Sequence, residues 1–113
     1  MELTINLTIL EELTSLQSEE KFVEHDFYPG APDETTRKWC ESRINNLLER
    51  LIANIEQNPN RGYVKREFLK TLSDLKEEDT EEHEEAWEYL TRILTILGIS
   101  LPEEEVTKWI NES

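Results

Sequence analysis

Along most of the chain the apolar residues recur every three to four positions, in blocks separated by proline, glycine and asparagine. That period puts them on one face of an α-helix. The first block is ambiguous: Leu3, Ile5, Leu7 and Ile9 alternate as in a strand, whereas Ile9, Leu10, Leu13 and Leu16 keep the helical spacing. No second alternating segment exists to pair with a strand, so a helix is expected from about Asn6 to Gln17, with Thr8 and Glu11 as its capping box. A turn over Ser18 to Glu24 should deliver Phe22 and Val23 to the core. In the following loop, His25 to Pro32, the pair Pro29-Gly30 suits the centre of a type II turn.

Asp33 is the expected N-cap of a long helix carrying Trp39, Ile44, Leu47, Leu48, Leu51, Ile52 and Ile55, which must end before Pro59 because proline drives Asn58 out of the α region. Gly62 precedes a third helix, about Tyr63 to Lys76, with Val64, Phe68, Leu69, Leu72 and Leu75 turned inward. Asp79 or Thr80 should cap a fourth. From Ala86 to Leu97 only Glu88, Thr91, Arg92 and Thr95 are polar, and they form one narrow stripe. The rest of that helix is apolar nearly all round, which predicts a central, most buried element near 80–97. Gly98 suits the residue after its end, and Ser100 with Glu103 should open a short terminal helix whose Val106, Trp109 and Ile110 form a lid. The expected fold class is all-α, a compact bundle of about four to five helices forming one domain over 1–113.

Composition narrows the setting. The chain has 113 residues, 36% hydrophobic and 34% charged, and its apolar residues are grouped rather than scattered as in a disordered segment. The one cysteine, Cys40, excludes an internal disulfide and cysteine-based zinc sites. The opening Met-Glu-Leu-Thr has no basic leader, so a secretory signal is not expected and the cytoplasm is the expected location. No apolar run approaches the length of a membrane span.

Charge changes the picture most. The formal net charge is −14, and between Glu77 and Glu88 stand eight carboxylates and no base, with His83 among them. Such a field repels nucleic acid and anionic lipid and attracts basic proteins. Just before it, Arg61 to Lys76 holds five bases against two acids. The simplest use of that basic helix is to match the acidic start of the next one, and the first-turn acids are also favoured there by the helix dipole. The surplus marks Asp79, Glu81, Glu82, His83, Glu84 and Glu85 as a candidate binding face.

Chemistry is harder to place. Asp79 and His83 lie at i, i+4, a spacing compatible with a metal, but there is no Glu-x-x-His pair, no calcium loop and no second histidine nearer than His25. No metal or cofactor is therefore expected. Cys40 with His25 lacks any oxyanion motif, and Cys40 beside Trp39 reads as a small buried thiol. Three isolated glycines build no phosphate loop. Phe27 and Tyr28, with Trp109, are candidate aromatic anchors for a partner, with folding back into the core as the competing expectation.

The run Phe27-Tyr28-Pro29-Gly30, followed by Glu34, Arg37, Cys40, Ile44, Asn45, Asn58-Pro59, Lys65, Asp79-Thr80-Glu81, Glu84, Tyr89-Leu90, Ile96-Leu97-Gly98-Ile99 and Trp109, resembles an uncharacterised bacterial family of small acidic helical proteins of unknown function. The resemblance implies a single α-helical domain and no particular activity. Its polar positions Arg37, Asn45 and Lys65, with Asp79, Glu81 and Glu84, are where a site would be sought. The expectation is a non-catalytic acidic module that binds a basic protein, in the manner of an immunity protein or antitoxin. The alternative is a metal-dependent or accessory enzyme using the acids around His83. Oligomeric state is open.

Overall fold

A computed structural model describes residues 3–26 and 28–112 and forms five helices. They are α1 (Leu7–Ser18), α2 (Glu34–Asn54), α3 (Arg61–Asp74), α4 (Thr80–Leu97) and α5 (Glu103–Glu112). The all-α bundle is as the periodicity requires, and each boundary has a local cause. Asn6, not Thr8, caps α1: its extended backbone lets the side chain accept from the Ile9 N–H at 2.9 Å. The residues before it run extended, with the Leu3 N–H donating to the Pro59 carbonyl at 2.5 Å. Asp33 caps α2 by accepting from the Thr36 N–H at 2.7 Å. The helix stops at Asn54, and a turn carries buried Ile55 to Pro59.

Asn60 accepts from the Tyr63 N–H at 2.8 Å, so α3 begins earlier than its apolar stripe and Gly62 lies within its first turn. Gly98 closes α4 in the left-handed region at φ 75°, and the next amide, Ile99 N–H, reaches back to the Leu94 carbonyl. The expected Ser100 box is not what starts α5. That start is built on the Pro102 carbonyl, which accepts from Glu105 and Val106.

Packing follows from the stripes. α2 lies against α1, α3 and α4, while α1 also packs on α4 and α5 on α3. α4 buries Glu82, Glu85, Ala86, Tyr89, Leu90, Ile93, Leu94 and Leu97, more residues than any other helix. The core around it includes Leu13, Leu16, Phe22, Ile44, Leu47, Leu48, Leu51 and Phe68, all fully buried. Each such side chain contributes roughly 1.5–3 kcal/mol of apolar burial. Trp109 of α5 is 3% exposed and meets the Phe68 ring edge-on at 5.7 Å, which secures the terminal lid. The side chain of Ile110 lies outside the described residues. Among the described residues no helix is long and apolar enough to cross a membrane.

One base of α3, Lys70, turns toward its own helix and α2 rather than toward the acidic start of α4. Lys70 at 3.0 Å and Arg50 of α2 at 2.6 Å both bind Glu67, a carboxylate 4% exposed. Burial pushes Glu67 up, but those two hydrogen bonds outweigh it and hold the group below the ordinary glutamate value. The buried acids of α4 turn the other way, toward the loop before α2.

Candidate functional site

The segment between α1 and α2 is where local preferences are most overridden. Lys21 is fully buried, and its ammonium donates to the carbonyls of Leu16 at 2.5 Å, Glu19 at 2.8 Å and Gln17 at 3.3 Å. It thereby satisfies the open C-terminus of α1 and balances the dipole there. Its own backbone is clamped from α2. Its N–H donates to Glu41 at 2.7 Å, and its carbonyl accepts from Arg37 at 3.0 Å. Arg37 also binds Glu41 and Glu34. The next residue, Phe22, has φ 60°, a left-handed conformation that costs a bulky side chain about 1–2 kcal/mol. It is held there because its N–H donates to the Tyr89 hydroxyl at 3.0 Å, its carbonyl accepts from Ala31, and its ring packs on Tyr89 at 5.3 Å.

From this fixed point the chain makes a tight bridge in which His25 and Tyr28 exchange both backbone hydrogen bonds at 2.9 Å. Gly30, at φ 89°, lets it return; a Cβ there would stand 3.3 Å from the Glu24 amide nitrogen. The bridge delivers two side chains onto α4. The Tyr28 hydroxyl donates to Glu82 at 2.8 Å, and the His25 Nε2 lies 2.8 Å from Glu85. Both carboxylates are nearly buried, at 3% and 6% exposure, so each needs such a partner. Burial, then the bond to Glu82, pushes the Tyr28 phenol up. Burial followed by the charges of Glu78 and Glu82 pushes the Cys40 thiol up to about 12. Cys40 is fully buried, with Glu78 as its neighbour at 3.9 Å, and His25 is engaged by Glu85, so the two form no nucleophile and base.

Above these pairs opens a cleft of about 520 Å³ between the α1–α2 segment and α4, floored by Val23, His25, Tyr28 and Tyr89. Its rim is Glu19, Glu20, Glu81, Glu84, Glu88 and Arg92. Arg92 grips Glu19 with two bonds, at 3.1 and 2.7 Å, tying the end of α1 to α4 and holding Glu19 below its usual range. Glu20, Glu81, Glu84 and Glu88 are exposed and have no ion pair among the described residues.

The residues singled out in the sequence do not form one face. Asp79, Glu81 and Glu84 are exposed, but Glu82 and Glu85 are buried, because they share the inward stripe of Ala86, Tyr89 and Leu90 at helical spacing. His83 is half-buried on the opposite flank of α4, in a hollow shared with Leu72, Lys76 and Trp87. Tyr28 is a core residue rather than an exposed anchor, and Phe27 lies outside the described residues. Arg37, Asn45 and Lys65 do not converge. Arg37 and Asn45 stand about 12 Å apart along α2 by helical rise, and Lys65 is on α3. Arg37 is a clamp on Lys21, while the Asn45 Oδ1 is buried with no hydrogen bond among the described residues. Among the described residues no three His, Cys, Asp or Glu side chains are grouped to hold a metal ion. Sequence reasoning missed Lys21, the His25–Glu85 and Tyr28–Glu82 pairs and the Tyr89 hydroxyl. The inward spacing of Glu82, Glu85 and Tyr89 was the available signal.

No curated protein and no solved structure matches the chain. Its residues 4–113 match the model of the family described as a domain of unknown function, DUF4844, and the chain belongs to that family.

Proposed function

We propose that the protein is a non-catalytic binding module whose cleft between the α1–α2 segment and α4 receives basic side chains of a protein partner. The observation that carries this reading is the rim: four exposed carboxylates, Glu20, Glu81, Glu84 and Glu88, surround one concave site, and Arg92, its single Lys or Arg among the described residues, is already held by Glu19. A lysine or arginine entering there meets uncompensated negative charge beside the half-exposed ring of His25 and the buried ring of Tyr28. The clamped Lys21 and strained Phe22 make the wall rigid, which reduces the ordering cost of binding. Covering the cationic site of a basic protein, as immunity proteins and antitoxins do, is a role that suits this size and charge. The test is capture of basic partners at low and high salt by the wild type and by a Glu81→Lys, Glu84→Lys double variant. Binding should weaken about ten-fold or more in the variant and fall with salt in the wild type. Capture indifferent to both would refute the acidic cleft.

One observation favours a second reading. A buried carboxylate, Glu85, holds Nε2 of the half-exposed His25, which is the orienting half of an acid–base pair. No activated nucleophile accompanies it among the described residues, since Cys40 is buried and its thiol raised. Under this reading His25→Ala abolishes a turnover and leaves partner capture intact; under the first, a hydrolase substrate panel shows no His25-dependent activity.

A further inference from the structure

A second groove runs along the opposite flank of α4. α3 packs on α2 and α5, whereas α4 packs on α1 and α2, so these consecutive helices are not a closely packed pair and a hollow of about 660 Å³ opens between them. Its accessible apolar part is the half-buried indole of Trp87, with Leu72, only 2% exposed, beneath it. Its polar walls include Lys76 on the α3 side and His83, Glu84 and Glu88 on the α4 side. The half-buried His83 ring has no hydrogen bond or ion pair among the described residues. Glu84 and Glu88 also belong to the rim of the first cleft. They stand one turn apart on the ridge between the two hollows, with Trp87 beside them.

We propose that this groove seats an amphipathic helix of a basic protein partner, with one large apolar side chain on Trp87 and Lys or Arg residues one turn away on Glu84 and Glu88. The proposal rests on the acidic-cleft reading above and extends it to a second flank of the same helix. The dimensions suit one such anchor: from Thr80 to Glu88 the wall is about 12 Å long, slightly more than two turns. Charge complementarity selects the occupant. Carboxylates beside an apolar floor reject an anionic lipid surface, and a second copy of this chain, itself at −14, would bring like charge. On the far side Lys76 stands with Glu78, so that wall carries both signs and the uncompensated negative charge is on the α4 side, at Glu84 and Glu88.

The experiment uses three helix-forming peptides and fluorescence anisotropy: one with a leucine anchor flanked by lysines, one with the anchor changed to alanine, and one with the lysines changed to glutamate. The first should bind at least about ten-fold more tightly than either of the others, and Trp87→Ala should remove the advantage of the anchor. Lys76→Glu, a surface change, should tighten the first peptide about two- to three-fold and provides a check independent of the tryptophan. If the alanine-anchored basic peptide binds as well as the first and Trp87→Ala has no effect, the groove proposal is overturned while the acidic-cleft reading survives. If the glutamate peptide binds equally, the charge assignment is wrong. If no basic peptide binds at all, both readings fall.

Discussion

Replacing Lys21 by methionine keeps the length of a fully buried side chain and removes its charge and its three carbonyl bonds. The informative quantity is how the effect depends on pH. Burial pulls the ammonium down from an ordinary 10.5 to about 8, against the opposing charges of Glu41 and Glu19. Because the folded-state pKa is the lower one, the unfolded chain binds more protons between about 8 and 10.5, and stability contributed by this group rises with pH across that window. Below about 8 the full penalty of holding a buried charge is present; above 10.5 it is relieved. The gap of about 2.5 in pH corresponds to about 3 kcal/mol at 1.36 kcal/mol per unit. Cys40 and Tyr89 pull the other way. Their pKa values are raised to about 12 by burial, so their contribution is present below 9 and 10 respectively and lost above. Both groups remain in the variant, so their contributions cancel in the difference. Urea unfolding of wild type and Lys21→Met at several pH values from 7 to 10.5 should therefore show the wild-type advantage growing by about 3 kcal/mol. A difference that stays flat, or shrinks, would mean that the ammonium is not desolvated and that its three carbonyls solvate it as well as water does.

Two other outcomes test the same segment and the helix ends. Tyr89→Phe deletes the acceptor for the Phe22 N–H and leaves a buried donor at a strained residue, so chemical denaturation should show a loss of about 1–3 kcal/mol; a loss below about 0.5 would show that water replaces the hydroxyl. Gly98→Ala meets no atom within 4 Å, so its cost is the left-handed backbone alone, about 1 kcal/mol, read as a melting temperature about 4 °C lower, with Gly98→Asn losing less. An unchanged melting point for the alanine variant would mean that the end of α4 unwinds to a right-handed conformation.

Helix positions were legible because their causes are local. Asp33 bonds an amide three residues away, and Gly98 needs no neighbour at all to close α4. The choice between Thr8 and Asn6, by contrast, turned on which polar residue has the extended backbone of a cap, a property that residue type does not encode. The acidic tract is legible first as a total. Eight carboxylates in a row of twelve positions predict a field, but the helical period divides them, turning Glu82 and Glu85 inward while Glu81, Glu84 and Glu88 stay on the ridge. The inward pair could be located from its spacing with Tyr89 and Leu90. Its partners could not, since His25 is sixty residues from Glu85 and Tyr28 is fifty-four from Glu82.

By itself the sequence determined that this is an acidic helical chain with a net charge of −14, and the approximate extent of its helices. Periodicity, capping and Coulomb repulsion act over a few residues or over the whole molecule, and both ranges can be read from a string of letters. The tertiary structure decided what lies between: the burial of Lys21, the left-handed Phe22, the pairing of His25 and Tyr28 with α4, and the two hollows that share Glu84 and Glu88. These depend on which helix faces meet. That is set by the packing of apolar stripes against one another, and only this packing determines which charges are neutralised inside and which remain exposed.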